Sequence, residues 1–119
     1  MSTGQPAKGN AVSEERAPLC PRFHRAVEMI GRRWTGAIVQ RLLDGPLRFN
    51  ELLCAIPGLS DRLLTERLRE LVAAEIVRRE VHHGSPVRVT YGLTQRGVEL
   101  GPALNEIGRW AERWIAGPL

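Results

Sequence analysis

The chain has no apolar run approaching the roughly 20 residues that cross a bilayer, and it opens on polar residues. Neither a membrane span nor a signal peptide is expected, and a cytoplasmic location is. Cysteine is scarce, with Cys20 and Cys54 alone. Two thiols in a chain without an export signal make no disulfide framework, and they are too few for a structural zinc site. His24, His82 and His83 do not complete one at a recognisable spacing, so neither metal nor cofactor is expected. No nucleophile–base pair, carboxylate dyad or phosphate loop stands at a supportive spacing, which argues against an enzyme. Internal repeats are absent too.

Lysine is nearly missing, with Lys8 beside sixteen arginines. Codon bias toward Arg accounts for such a ratio as readily as function does, but the sign of the charge survives either explanation. The 119 residues carry a formal net charge of +4 and a pI near 10.0, a balance that suits an anionic partner. The excess clusters: Arg22 to Arg48 holds six arginines against Glu28 and Asp44. Arginine's planar fork binds phosphates and guanine edges bidentately.

With 43% hydrophobic and 25% charged residues, the composition is that of an ordinary globular protein of one domain. Residues 1–17 are small and polar without periodicity and read as a flexible arm. Structure is expected over 18–119. Pro21 suits the first turn of a helix, along which Phe23, Val27 and Ile30 repeat at helical spacing. Gly31 breaks it, and Trp34, Ile38 and Leu42 begin a second stripe ending at Asp44-Gly45-Pro46.

Asn50 then reads as an N-cap with Glu51 just inside a short helix whose buried side is Leu52, Leu53 and Ile56. Cys54 among them reads as core filler. After a Pro57-Gly58 turn, Ser60 caps a helix over about 60–74 with Leu64, Leu68, Leu71 and Val72 on one face. Arg62, Thr65, Glu66, Arg69 and Glu70 fall on the other, and Arg67 beside the buried face is placed to pair with a carboxylate inside the domain. Two β-branched runs flank His82-His83-Gly84-Ser85-Pro86, a hairpin signal spanning about 76–93. Thr94 caps a last helix over about 94–116, in which Leu100, Leu104, Ile107, Ala111 and Trp114 follow coiled-coil spacing and Pro102 should kink the early turns. Helix, tight turn, helix and β-wing is the layout that places one helix in a DNA groove. The fold class expected is mainly α with a small antiparallel wing: a winged helix-turn-helix.

The chain resembles the HxlR-type winged helix-turn-helix regulators, relatives of the MarR group. The matching pieces are Cys20-Pro21, Ile30-Gly31-Arg32-Arg33-Trp34, Gly45 to Leu52 (GPLRFNEL), Ile56 to Ser60 (IPGLS), Leu64 to Leu71 (LTERLREL), Pro86 to Thr94 (PVRVTYGLT) and the Trp110 region. They stand in order and at family spacing over roughly residues 20–115. One departure is Arg32, where the family usually has a second Gly and the bend between the first two helices is in question.

The resemblance implies a homodimer paired through terminal helices and reading a pseudo-palindromic site on double-stranded DNA. An apolar seam of Leu100, Leu104, Ile107, Trp110, Ala111 and Trp114 at a chain end also needs covering, unless the helix packs back on its own domain. DNA-contact candidates are Arg62 and Thr65 near the start of the second motif helix, Arg69 farther along, Ser60 (a cap first), Arg48, and His82, His83 and Arg88 on the wing. Some regulators of this type sense oxidants or electrophiles through a Cys at the position of Cys20, where the helix dipole and Arg22 and Arg25 favour thiolate; an unreactive thiol is the plainer reading. The function expected is a dimeric DNA-binding repressor, associated with the nucleoid when bound and responsive to an oxidant or small effector. A winged helix for protein docking or RNA, or a small thiol-redox protein, is the alternative.

Overall fold

A computed structural model describes residues 18–117; the arm predicted at 1–17 lies outside the described residues, as do 118 and 119. Helices α1 (Pro21–Ile30), α2 (Thr35–Leu42), α3 (Phe49–Ala55) and α4 (Asp61–Ala73) come first. Strands β1 (Val77–His82) and β2 (Arg88–Leu93) then form an antiparallel hairpin, with Val77 opposite Leu93 and His82 opposite Arg88. The chain closes with α5 (Gln95–Val98) and α6 (Gly101–Trp114). No described helix is long and apolar enough to cross a membrane.

The core forms where the amphipathic faces of α2, α3 and α4 meet the base of the hairpin. Ile38, Val39, Leu52, Leu64, Leu71, Ile76 and Val77 are its largest fully enclosed side chains. Leu47 adds a third, one-residue rung to the hairpin, exchanging backbone bonds of 3.0 and 2.8 Å with Tyr91 and so fixing the wing against the link before α3.

Local chemistry decides the ends of the elements. The Ser60 hydroxyl accepts from the Leu63 N–H at 3.1 Å and starts α4. That helix stops because Glu75 takes a left-handed φ of 62°. The Glu75 N–H then reaches the Val72 carbonyl at 3.0 Å, and the Ile76 N–H reaches that of Leu71 at 2.9 Å. This is a Schellman closure with both Ile76 and Leu71 in the core. Thr94 caps α5 by accepting from the Gly97 N–H at 3.2 Å, while its own hydroxyl donates to the Glu75 carbonyl at 2.6 Å.

The structure corrects several expectations. Asn50 is not a cap: α3 begins two residues earlier, because the Glu51 carboxylate folds back to accept the Arg48 N–H at 2.7 Å and makes Arg48 the capping position. Pro102 does not kink the last helix but lies in the first turn of α6, where its missing N–H costs nothing, and the chain bends instead at the joint after α5. The first helix ends at Ile30 with Gly31 as its cap, as expected, but Gly31 is right-handed, and the left-handed residue of the turn into α2 is Trp34 at φ 78°. Cys54 and Val72 are exposed, not core. Phe23 and Val27 are exposed as well, and α1 contains no buried residue.

Candidate nucleic-acid interface

The core holds α4 by Leu64, Leu68 and Leu71, so the opposite face turns to solvent. Arg62 stands in its first turn with its side chain 88% exposed, and its Nε lies 3.7 Å from Glu66 Oε2. Thr65 is half-buried, and its hydroxyl donates to the Asp61 carbonyl at 2.9 Å, which aims the oxygen along the helix. Arg69 is exposed one turn on. Ser60 serves the helix as its cap, and its hydroxyl remains exposed beside Arg62.

Arg48 lies at the head of α3 with its side chain in solvent. On the wing, Arg88 and His83 are exposed near the hairpin tip. His82 Nε2 is 2.8 Å from the Thr90 hydroxyl, so one ring nitrogen is already engaged across the hairpin. Between α4 and the hairpin lies a cleft of about 440 Å³ lined by Phe49, Thr65, Leu68, Arg69, Val72 and Tyr91, which explains why Val72 escapes the core. Within the domain the structure thus groups Arg62, Thr65 and Arg69 on one face of α4, with Ser60 at its cap. Arg88, His82 and His83 are on a separate projection, and Arg48 heads the helix packed before it.

Arg67 was legible only as an internal ion-pair partner, and it is more than that. Its guanidinium is buried; Nε donates to the Arg33 carbonyl at 2.9 Å, and Nη1 lies 3.5 Å from Glu66 and 3.4 Å from Glu70. Glu70 in turn meets Arg32 Nη2 at 3.1 Å. A buried cation held by a carbonyl and two carboxylates fixes α4 to the turn that ends α1.

The seam predicted for dimerisation divides. Leu104 is 8% exposed and belongs to the domain's own core, with Leu100 packed against it, because α6 runs beside α2 there. What faces outward is Ile107, Trp110 and Trp114, with Ala111 half-covered. Arg109 hydrogen-bonds Glu106 beside them and holds its carboxyl below the usual range. Leu19, Phe23 and Val27 give α1 a second exposed apolar face, and Cys20, exposed at its cap position, sits at the end of it.

A helix set on a core with its polar face free, joined to an antiparallel wing, is the frame of a winged DNA reader. Residues 29–117 match the family model described as HxlR-like helix-turn-helix. The chain belongs to that family. It is 46% identical over 100 residues to the uncharacterized HTH-type transcriptional regulator YvaP of Bacillus subtilis, covering 84% of this chain and 93% of that one. To the HTH-type transcriptional regulator YodB of the same organism it is 42% identical over 96 residues, covering 81% and 86%. The solved reduced form of YodB superposes with a TM-score of 0.77 at 40% identity, covering 85% of this chain and all of that one. YodB has also been solved diamide-treated and quinone-bound. The redox regulator HypR, in its oxidized form, gives a TM-score of 0.73 at 38% identity over 82% of this chain and all of that one. The protein is therefore a helix-turn-helix DNA-binding transcriptional regulator and not an enzyme.

Proposed function

We propose that two copies of the chain pair through α1 and α6 and repress transcription by covering a pseudo-palindromic operator, each presenting α4 to the major groove. The observation that carries this reading is the solvent-facing polar side of α4, with Arg62, Thr65 and Arg69, on a helix capped by Ser60 whose other face is locked into the core. Arg62 is assigned a base edge, since the N-terminal residues of such a helix reach the groove floor. Arg48 and Arg69 are assigned phosphates, and Arg88 with His82 and His83 the flanking backbone or minor groove. Repression needs nothing beyond occupancy of DNA. Such a protein resides in the cytoplasm, on the nucleoid when bound.

The second copy is argued from the outward residues of the terminal helices. Trp110 is 58% exposed and Phe23 64%, an apolar area that water does not favour and that a two-fold partner covers. Cys20 lies at the edge of that area, with its thiol open to solvent. YodB binds a quinone and has been crystallised after diamide treatment, so the effector assigned to this chain is an electrophile or oxidant acting at Cys20. With a quinone the step is conjugate addition: the S–H bond breaks and an Sγ–carbon bond forms, the thiol proton ends on one ring oxygen and the hydrogen of the attacked carbon shifts to the other, leaving a hydroquinone thioether. The bulk introduced beside α1 favours one spacing of the two α4 helices over another.

Selection of bound genomic fragments by the purified protein, with and without a quinone, tests the whole reading. Paired half-sites one helical turn apart are expected, with recovery reduced by quinone in the wild type but not in Cys20→Ser. Arg62→Ala should weaken binding to the selected operator by about 1–3 kcal/mol and relax one base position. Unpaired sites would remove the dimer, equal recovery with quinone would remove the effector, and unchanged affinity would remove the base contact.

A further inference from the structure

The Arg62 side chain is almost wholly exposed, and an unheld arginine must lose much side-chain freedom to meet a base. It does not stand alone. Glu66 touches Arg62 with Oε2 at 3.7 Å and Arg67 with Oε1 at 3.5 Å. Glu70 Oε2 then bridges Arg67 at 3.4 Å and Arg32 at 3.1 Å. Five side chains of alternating sign thus run from the turn after α1 to the first turn of α4. Its middle member, Arg67, is buried and pinned to the Arg33 carbonyl.

An exposed ion pair such as Arg62–Glu66 is weak when both partners are free. Here the Glu66 carboxylate lies against a cation that the core already immobilises, so holding Arg62 costs less additional ordering, and charges in one network act jointly. We propose that Arg32 and Glu70 are positioning residues for base reading: through Arg67 and Glu66 they set where the Arg62 guanidinium stands. The proposal rests on the assignment of Arg62 to a base edge. Arg32 occupies the position at which the chain departs from the Gly of the pattern it resembles. Seating of α1 then reaches the groove through charged contacts rather than through the apolar core.

The test compares affinity for the selected operator with affinity for the same duplex substituted at the base that Arg62→Ala ceases to discriminate. Four full-length proteins are titrated: wild type, Arg32→Ala, Arg62→Ala and the double variant. Arg32→Ala should lower discrimination about three- to tenfold and add nothing in the Arg62→Ala background, because coupled members of one network are not additive. Glu70→Gln should reproduce the loss, Arg32→Lys should restore most of it, and thermal unfolding of the exposed Arg32 and Arg62 variants should match the wild type to within a few degrees. A charge lost without positional meaning would weaken both duplexes alike and reduce the salt dependence instead. That uniform loss, or additive effects, overturns the proposal while leaving Arg62's own role intact. Unchanged discrimination in Arg62→Ala overturns both.

Discussion

From α2 to β2 the chain satisfies itself, whereas the helices at its two ends do not. In the middle, apolar residues on three helices and the hairpin base close on one another, and the helix ends are capped by neighbouring groups. At the ends, α1 buries nothing and α6 buries only Gly101 and Leu104, while Phe23, Val27, Ile107, Trp110 and Trp114 lie open. As strings of letters the end helices are, if anything, the more amphipathic. The two kinds of helix differ in what the fold sets opposite the apolar stripe: other elements of the chain in one case, solvent in the other. On the proposed function, DNA reading would rest on a unit that is complete within one chain, and assembly on one that is not.

Substitutions on either side of that divide should behave differently. Leu64 is fully buried in the middle, and Leu64→Ala should destabilise the fold by about 2–5 kcal/mol, seen as a lower denaturation midpoint at every protein concentration. Trp110→Ser should instead weaken self-association by about 2–4 kcal/mol, the range of an interfacial aromatic anchor, seen by sedimentation equilibrium. If it shifts the unfolding midpoint as strongly in dilute as in concentrated protein, the terminal helix belongs to the self-contained half. Gly97→Ala probes the boundary: a Cβ there would stand 2.3 Å from the Ile76 carbonyl, and displacing that backbone should cost about 1–3 kcal/mol in chemical denaturation. Smallest is Ser60→Ala, which removes the α4 cap and should cost about 1 kcal/mol of stability; a loss many times larger would mean the hydroxyl does more than start the helix.

Much of the middle was legible because its signals are local and agree with one another. β-Branched runs about a turn with Gly and Pro marked the hairpin, periodicity marked α4, and Ser60 and Thr94 each cap an N–H three residues on. What stayed hidden was competition and context. Asn50 is as good a cap as any, yet Glu51 reaches back to Arg48 and moves the start of α3. Trp34 adopts a left-handed backbone that no residue type advertises, and Pro102 could equally have bent a helix or begun one. At the site, the exposed arginines of α4 follow from its apolar stripe. The Arg67–Arg33 bond, between residues 34 apart, belongs to packing that no local window contains. Leu104 shows the same limit from the other side, since a seam read as one surface is shared between the core and solvent.

The Leu47–Tyr91 rung has a kinetic consequence. From Val81 to Arg88 the hairpin exposes every residue, while Val77 and Leu93 are buried at its base. Backbone protection should therefore rise in steps from tip to base, with the rung as the last step before the core. Hydrogen exchange would show the His82 and Arg88 amides opening many times for each opening at Tyr91. The wing should thus open from its tip inward, toward one pair of residues.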